Sequence, residues 1–359
     1  MNLVTTVEHP EDGTTQVVVK KIKTMASLRL QRIFGLIVVL LLLLAAMFLS
    51  LMVGAKSLPF EVVWDALFSP TNSYDHTIIQ QSRIPRTITA LVVGPAFGLA
   101  GALIQALTRN PLADPGILGV NAGAAFAVAL GIGIFSVTTM SGYIWFALAG
   151  AFMATIAVYV ISGGAGKKTP TPVQITLSGV ALGAALSGIT TALTMMNSDA
   201  FSRMLNWSVG TLARRSMDDL WPVSLFLIVG ALLALSISSA LNAIAFGDDR
   251  ASSLGVNVGW IRTIGLIAIT LLAGGATAIA GPIGFIGLMV PHCVRWFVGP
   301  SQPWIFLYSM VAAPLLLILS DIIGRVVMSP TEVPVGIIMG FVGAPILLIL
   351  IRRRKASGL

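Results

Sequence analysis

From Ile33 to Ala55 the chain reads IFGLIVVLLLLLAAMFLSLMVGA, with no charge in the whole stretch. A helix of about 20 apolar residues crosses the hydrocarbon core of a bilayer. Ten runs of this kind are expected along the chain, at 32–54, 84–107, 115–136, 142–162, 172–196, 220–241, 260–280, 283–298, 304–324 and 334–351. The run at 283–298 is short. Gly281-Pro282 leaves two readings of 271–298, one broken element or two spans. The runs are continuous, whereas membrane β-barrel strands alternate apolar and polar residues. Hydrophobic residues make up 56% of the chain and charged residues 10%, against about 25% charged in soluble domains. A water-soluble fold needs a larger polar surface, so the expected class is an all-α integral membrane protein with about ten transmembrane helices.

The formal net charge is +8. The cations are scattered over loops and ends, which argues for cytoplasmic loops and against a nucleic-acid partner. Alternating ten spans from an inside N-terminus puts about fifteen of the 22 Lys and Arg residues inside, as the positive-inside rule asks. Both termini are then expected in the cytoplasm. Residues 1–31 read as a disordered cytoplasmic tail rather than a cleaved signal, 32–352 as the membrane domain and 353–359 as a short cytoplasmic tail. Cys293 is the single cysteine, so no internal disulfide forms.

Between spans two and three lies the polar stretch RNPLADPGILGVNAG, 109–123. Pro111 ends the preceding helix, because the residue before a proline avoids the α region. Asp114-Pro115 reads as an N-cap followed by proline at the first helical position. A sharp, water-facing helical hairpin accounts for most of this chemistry; a specific functional role is the other reading. Small residues recur within the spans, as in Gly94, Gly98 and Gly101, then Gly119 and Gly123, then Gly336, Gly340 and Gly343. They permit close helix approach, in a static bundle or at a moving interface.

Several catalytic patterns are absent or fail. GGAGKKT at 163–169 has Ile161 where a phosphate loop needs glycine and Lys168 where it needs Ser or Thr. It reads as a basic cytoplasmic turn. His292 follows Pro291 and lacks partner ligands in sequence, so a structural histidine is favoured over a metal or proton site. Few ionisable residues lie at mid-membrane depth, where ion-coupled carriers usually keep them. Asp321 is the nearest, and Arg325, four residues on, is placed for a helical ion pair.

Two polar stretches remain. In QSRIPRTITA, Arg83 and Arg86 share a helix face just outside the second span. They serve either an acidic docking partner or headgroup anchoring. In FGDDRASSLGVNV, Gly247 precedes Asp248 as N-cap, a short helix runs to Leu254, and Gly255 stops it. This cytoplasmic helix touches a soluble partner or merely connects two spans.

Taken together, RIPRTITALVVGPAFGLAGALIQALTRNPLADPGILGVNAGA, TLSGVALGA, GDDRASSLGVNV, AIAGPIGFIGLMVPHCVR and LSDIIGR resemble the permease subunits of bacterial ABC importers for iron–siderophore complexes, haem and vitamin B12. The resemblance runs from about Leu36 to Arg354 and is greatest to the ferric-enterobactin permease subunits. The N-terminal tail of about thirty residues is longer than this family leads one to expect. The resemblance implies the type II ABC importer permease fold and a multi-pass place in the bacterial cytoplasmic (inner) membrane. It implies a second permease subunit, identical or sister, two ATPase subunits below and an extracytoplasmic substrate-binding protein above. It places binding-protein docking on Arg83, Arg86 and Arg325. ATPase coupling falls on the segment from Asp248 to Val258, with Asp248, Asp249, Arg250, Ala251, Leu254 and Gly255. The cytoplasmic gate falls near Thr171, Pro172 and Val173. ATP and Mg are expected on the partner subunits, with no cofactor or metal on this chain and no bond-breaking by it. The expected cargo is a ferric siderophore, with a catecholate favoured over haem or vitamin B12. The rival classes are an ion-coupled secondary carrier or channel, and an intramembrane enzyme.

Overall fold

The computed structural model describes residues 3–8, 16–21, 25–164, 170–196, 198–213 and 217–356. The basic turn at Lys167 and Lys168, the pair Arg214 and Arg215, and the last residues of the C-terminal tail lie outside that set. Among the described residues, seven helices are long and apolar enough to cross a membrane, and three shorter apolar helices join them. Together they cover the ten expected runs.

The first span, α1 (Met25–Met52), begins inside the expected tail. Met, Ala, Leu and Arg at its start are strong helix formers, so the helix extends past the apolar stretch. The tail was expected without structure. Two strands occur there, β1 (Leu3–Glu8) and β2 (Gln16–Lys21), paired antiparallel with Leu3 opposite Lys21 and Glu8 opposite Gln16. The β-branched content of LVTTVE and QVVVKK favours this pairing.

Next come the short α2 (Phe60–Phe68) and α3 (Tyr74–Ile78). A π-turn over Ile79–Arg83 joins α3 to α4 (Ile84–Thr108). After a 3-10 turn at Pro115–Leu118 follow α5 (Val120–Gly133), α6 (Met140–Tyr159) and α7 (Pro172–Met195). Then come α8 (Ser198–Ser208), α9 (Met217–Ile244) and α10 (Asp248–Ser253). The rest are α11 (Val258–Ile269), α12 (Gly275–Ala280), α13 (Ile286–Val298), α14 (Gln302–Val327) and α15 (Val335–Ala356).

The bundle is built around α4. Its span is 78% buried, whereas that of α7 is 11% buried. Glycines set the depth of packing. A Cβ on Gly101 would lie 1.8 Å from the Gly287 carbonyl oxygen of α13, and one on Gly94 would lie 2.6 Å from Pro314 Cα of α14. Gly101→Ala is therefore expected to cost about 1–3 kcal/mol through overpacking, read as a lower unfolding temperature of the purified chain. An unchanged temperature would mean that α4 and α13 separate freely.

The question of 271–298 is answered by a break. Helix α12 stops at Ala280, Gly281 takes φ 76°, Phe285 takes φ 70°, and α13 starts at Ile286. Within α13, Pro291 lacks an N–H and leaves the Gly287 carbonyl without its helical donor. Gln105 Nε2 of α4 supplies it, donating to Gly287 O at 3.2 Å and Leu288 O at 3.0 Å. In a bilayer such a carbonyl has to be satisfied from within the protein.

Candidate functional site

Polar side chains gather at the two ends of the bundle. At one end α1 stops, leaving C-terminal carbonyls without helical partners. Two arginines fill that gap. Arg83 donates through Nη1 to Leu51 O at 2.6 Å and Met52 O at 2.9 Å, and through Nη2 to Lys56 O. Arg325 donates through Nη1 to Ser50 O at 2.8 Å and Val53 O at 3.1 Å, and through Nη2 to Ser50 Oγ at 2.6 Å. Cations suit a helix C-terminus because the carbonyl dipoles point there.

Asp321 ties this cap to α4. Its Oδ2 lies 2.9 Å from Arg325 Nη2, the i,i+4 pair expected from sequence. Its Oδ1 accepts from Arg86 Nε at 2.9 Å and Nη2 at 2.8 Å. Arg86 Nη1 meets Glu332 Oε2 at 2.5 Å. Arg83, Arg86 and Arg325 are all buried, while the Glu332 side chain is 40% exposed. Arg83 and Arg86 thus differ from the sequence expectation that they point cations outward. Their donors are spent on α1 carbonyls and on two carboxylates. Three guanidinium groups face two carboxylates, so one positive charge is left over. The sequence reading missed Glu332, whose only signal is a lone acid in SPTEVP between two spans.

At the other end α4 finishes at Arg109, which takes φ 53°. The polar stretch folds as a tight turn. Asn110 Oδ1 accepts from Leu112 N at 3.0 Å, and Asp114 Oδ1 accepts from Gly116 N at 2.8 Å. Asp114 is the N-cap of the 3-10 turn, as its sequence context implies. Burial pushes its carboxyl pKa upward, partly offset by the Gly116 N–H. Gly179 of α7 packs on this turn, with a built Cβ 1.7 Å from Ile117 O.

The same end carries α10. Its N-cap is Gly247, at φ 106°, and no side chain caps it. Asp248 was expected in that role. It is drawn away by two cations, with Oδ2 accepting from Arg262 Nη2 at 2.8 Å and Oδ1 lying 3.5 Å from Arg109 Nη2. The longer contact is a charge pair rather than a hydrogen bond. Ala251 is buried and anchors α10, and Gly255 at φ 81° ends it. Asp249, Arg250, Ser252 and Leu254 are exposed.

Thr171, Pro172 and Val173 open α7 at this end. Thr171 is the N-cap of a capping box, accepting from Gln174 N at 3.3 Å while Gln174 Oε1 accepts from Thr171 N at 2.9 Å. Pro172 holds the first helical position and Val173 is exposed. No group of three His, Cys, Asp or Glu residues among those described is placed to hold a metal. His292 packs edge-on to Trp296, with ring centres 5.8 Å apart.

A bundle of apolar helices long enough to span a bilayer, with polar clusters at its two ends and a short exposed helix at one of them, is the architecture of a polytopic membrane protein. Residues 41–353 match the FecCD transport family, and the chain belongs to that family. It is 46% identical to the ferric enterobactin transport system permease protein FepD of Escherichia coli K12, covering 89% of this chain and 95% of that one. It is 36% identical to the Fe(3+)-citrate import system permease protein YfmD of Bacillus subtilis, over 90% and 96% of the two chains. The hemin transport system permease protein HmuU of Yersinia pestis is 34% identical over 89% and 95%. A solved chain described as an inward-facing metal-chelate type ABC transporter superposes with TM-score 0.75 at 26% identity, over 89% of this chain and 98% of that one.

Proposed function

We propose that this chain is the membrane-spanning subunit of an ATP-driven importer for a ferric siderophore of the catecholate type. The observation that carries the reading is the near full-length relation to a ferric enterobactin permease, at 46% identity. The Asp248 end faces the cytoplasm, together with both termini, in keeping with the positive-inside rule. The exposed Asp249, Arg250 and Leu254 of α10 meet an ATPase subunit that binds ATP and Mg and does the hydrolysis. The Arg325 end faces outward and receives an acidic binding protein. The surplus positive charge beneath the half-exposed Glu332 supports that polarity. A second permease subunit, identical or sister, packs along the exposed face of α7, which carries Ser187 and Thr191. The α7 span is only 11% buried, which leaves that face open to a partner. Thr171, Pro172 and Val173 then sit at the cytoplasmic mouth of the path. Transport is a shift between outward- and inward-open states driven by ATP on the partners.

Radio-iron uptake in cells lacking the chain tests this. The panel comprises ferric catecholate, hydroxamate and citrate complexes, haem and vitamin B12. Loss of catecholate uptake, restored by the wild-type chain, is the expected outcome. Loss confined to citrate or haem would move the cargo to the class named for YfmD or HmuU. Uptake that survives ATP depletion while a membrane potential is kept would point to a secondary carrier.

A further inference from the structure

Helix α8 was not anticipated as an element, and its residues play no part in the sites above. It lies at the Arg325 end, and a cavity of about 430 Å³ opens against it. Pockets of this size hold small molecules or a portion of a larger one. The lining includes Tyr143, Arg203, Asn206, Trp207 and Thr211. Arg203, Asn206 and Trp207 share one face of α8 by their three- and four-residue spacing.

Two donors of the lining, on Trp207 and Arg203, are under-used. Trp207 is 2% exposed, yet its indole Nε1 has no hydrogen-bond partner. A buried donor left in that state is costly unless a ligand completes it. Arg203 is exposed and makes two long contacts through Nη1, to Thr138 O at 3.3 Å and Tyr143 Oη at 3.4 Å. No carboxylate among the described residues pairs with it. Among the described residues, no acidic side chain lines the cavity. The floor is also fixed in place. Thr211 N donates to Ala280 O at 2.7 Å, Gly336 N donates to Gly210 O at 3.1 Å, and a Cβ on Gly281 would lie 2.3 Å from Trp207 O. The backbone beneath Trp207 is thereby bound to the ends of α12 and α15.

We propose that this cavity is an entry subsite for one anionic aromatic arm of the transported chelate. Arg203 and the Trp207 N–H hold its oxygens, and the Tyr143 and Trp207 rings flank its ring. The inference rests on the importer function proposed above. The volume admits one arm of a chelate rather than the whole. An aromatic, oxygen-rich, negatively charged group fits donors and rings together, whereas a hydroxamate arm has no ring to stack and belongs to a chelate without net charge.

The test is uptake of radio-iron-loaded enterobactin, at graded concentrations, by cells carrying the complete transporter. Arg203→Gln is expected to raise KM about tenfold, with the maximal rate within about twofold of wild type. Trp207→Phe keeps the ring and removes the donor, and is expected to raise KM about threefold. Arg203→Lys keeps the charge and loses the fork, and falls between wild type and Arg203→Gln. Arg203 is a surface side chain, so its variants keep the folded chain, checked by its level in the membrane. If the wild type transports the chelate and neither variant shifts KM, the subsite is overturned. If Arg203→Gln weakens co-sedimentation of the binding protein and leaves KM for the chelate unmoved, Arg203 serves protein docking and the subsite is likewise overturned. An equal fall in maximal rate without a KM change, as a bound lipid phosphate would give, also overturns it. Absence of wild-type uptake for every chelate would instead remove the importer reading, and the subsite with it.

Discussion

Asp321→Ala is expected to destabilise the folded chain by about 3–5 kcal/mol, the usual cost of stranding a buried charge by removing its partner. Asp321 is 2% exposed and is the carboxylate shared by Arg86 and Arg325, both of which are also buried. Without it, two guanidinium groups face each other with Glu332 as the remaining acid, and Glu332 pairs directly with Arg86 rather than Arg325. The loss reads out as a large drop in the unfolding temperature of detergent-extracted protein and in its level in the membrane. Asp321→Asn keeps the shape and one acceptor, so it should fall between alanine and wild type. The triple replacement Arg86→Met, Asp321→Leu, Arg325→Met removes the three paired buried charges together and should recover part of the loss, because stranded charge is what destabilises. Recovery stays incomplete because the Ser50 and Val53 carbonyls lose their Arg325 donor. Wild-type stability in Asp321→Ala would mean that water already reaches both arginines, and the buried network would have no energetic role.

The spans were legible because each has to satisfy its own backbone in lipid, and that requirement writes long apolar runs into the chain. Local polar geometry was legible wherever both partners sit within one turn. The Asp114 cap and the Asp321–Arg325 pair are of that kind. What failed was geometry set by distant partners. Arg83 and Arg325 turn inward because α1 ends beside them, and backbone carbonyls leave no mark on sequence. Asp248 follows Gly247 in a plausible capping context, yet Arg109 and Arg262 arrive from two other helices and take its carboxylate. Helices α2 and α8 were missed for another reason. Nine and eleven residues are too short to cross a bilayer, so a search for spans passes over them. The amphipathic spacing of Arg203 and Trp207 was the available signal for α8.

Asp248→Lys is expected to cut uptake more than tenfold while hardly changing stability. The carboxylate is 39% exposed, so its pairs with Arg109 and Arg262 are screened by water and contribute at most about 1 kcal/mol. Their importance lies in position. Arg109 ends α4, the central helix, and Arg262 sits on α11, so Asp248 is the point where α10 is held to both. A lysine there places three cations together and pushes α10 off the bundle, leaving Ala251 as the main anchor. Motion received on the exposed face of α10 would then no longer reach α4. Three measurements separate this from misfolding: the amount of chain in the membrane, copurification of the ATPase, and uptake. The first should be unchanged and the third lost. Pairing Asp248→Arg with Arg262→Asp restores one opposite-charge contact and should recover part of the uptake, a coupling that two independent lesions would not give. Full uptake in Asp248→Lys would show that α10 transmits motion through its packing alone, and the charge triad would have no part in coupling.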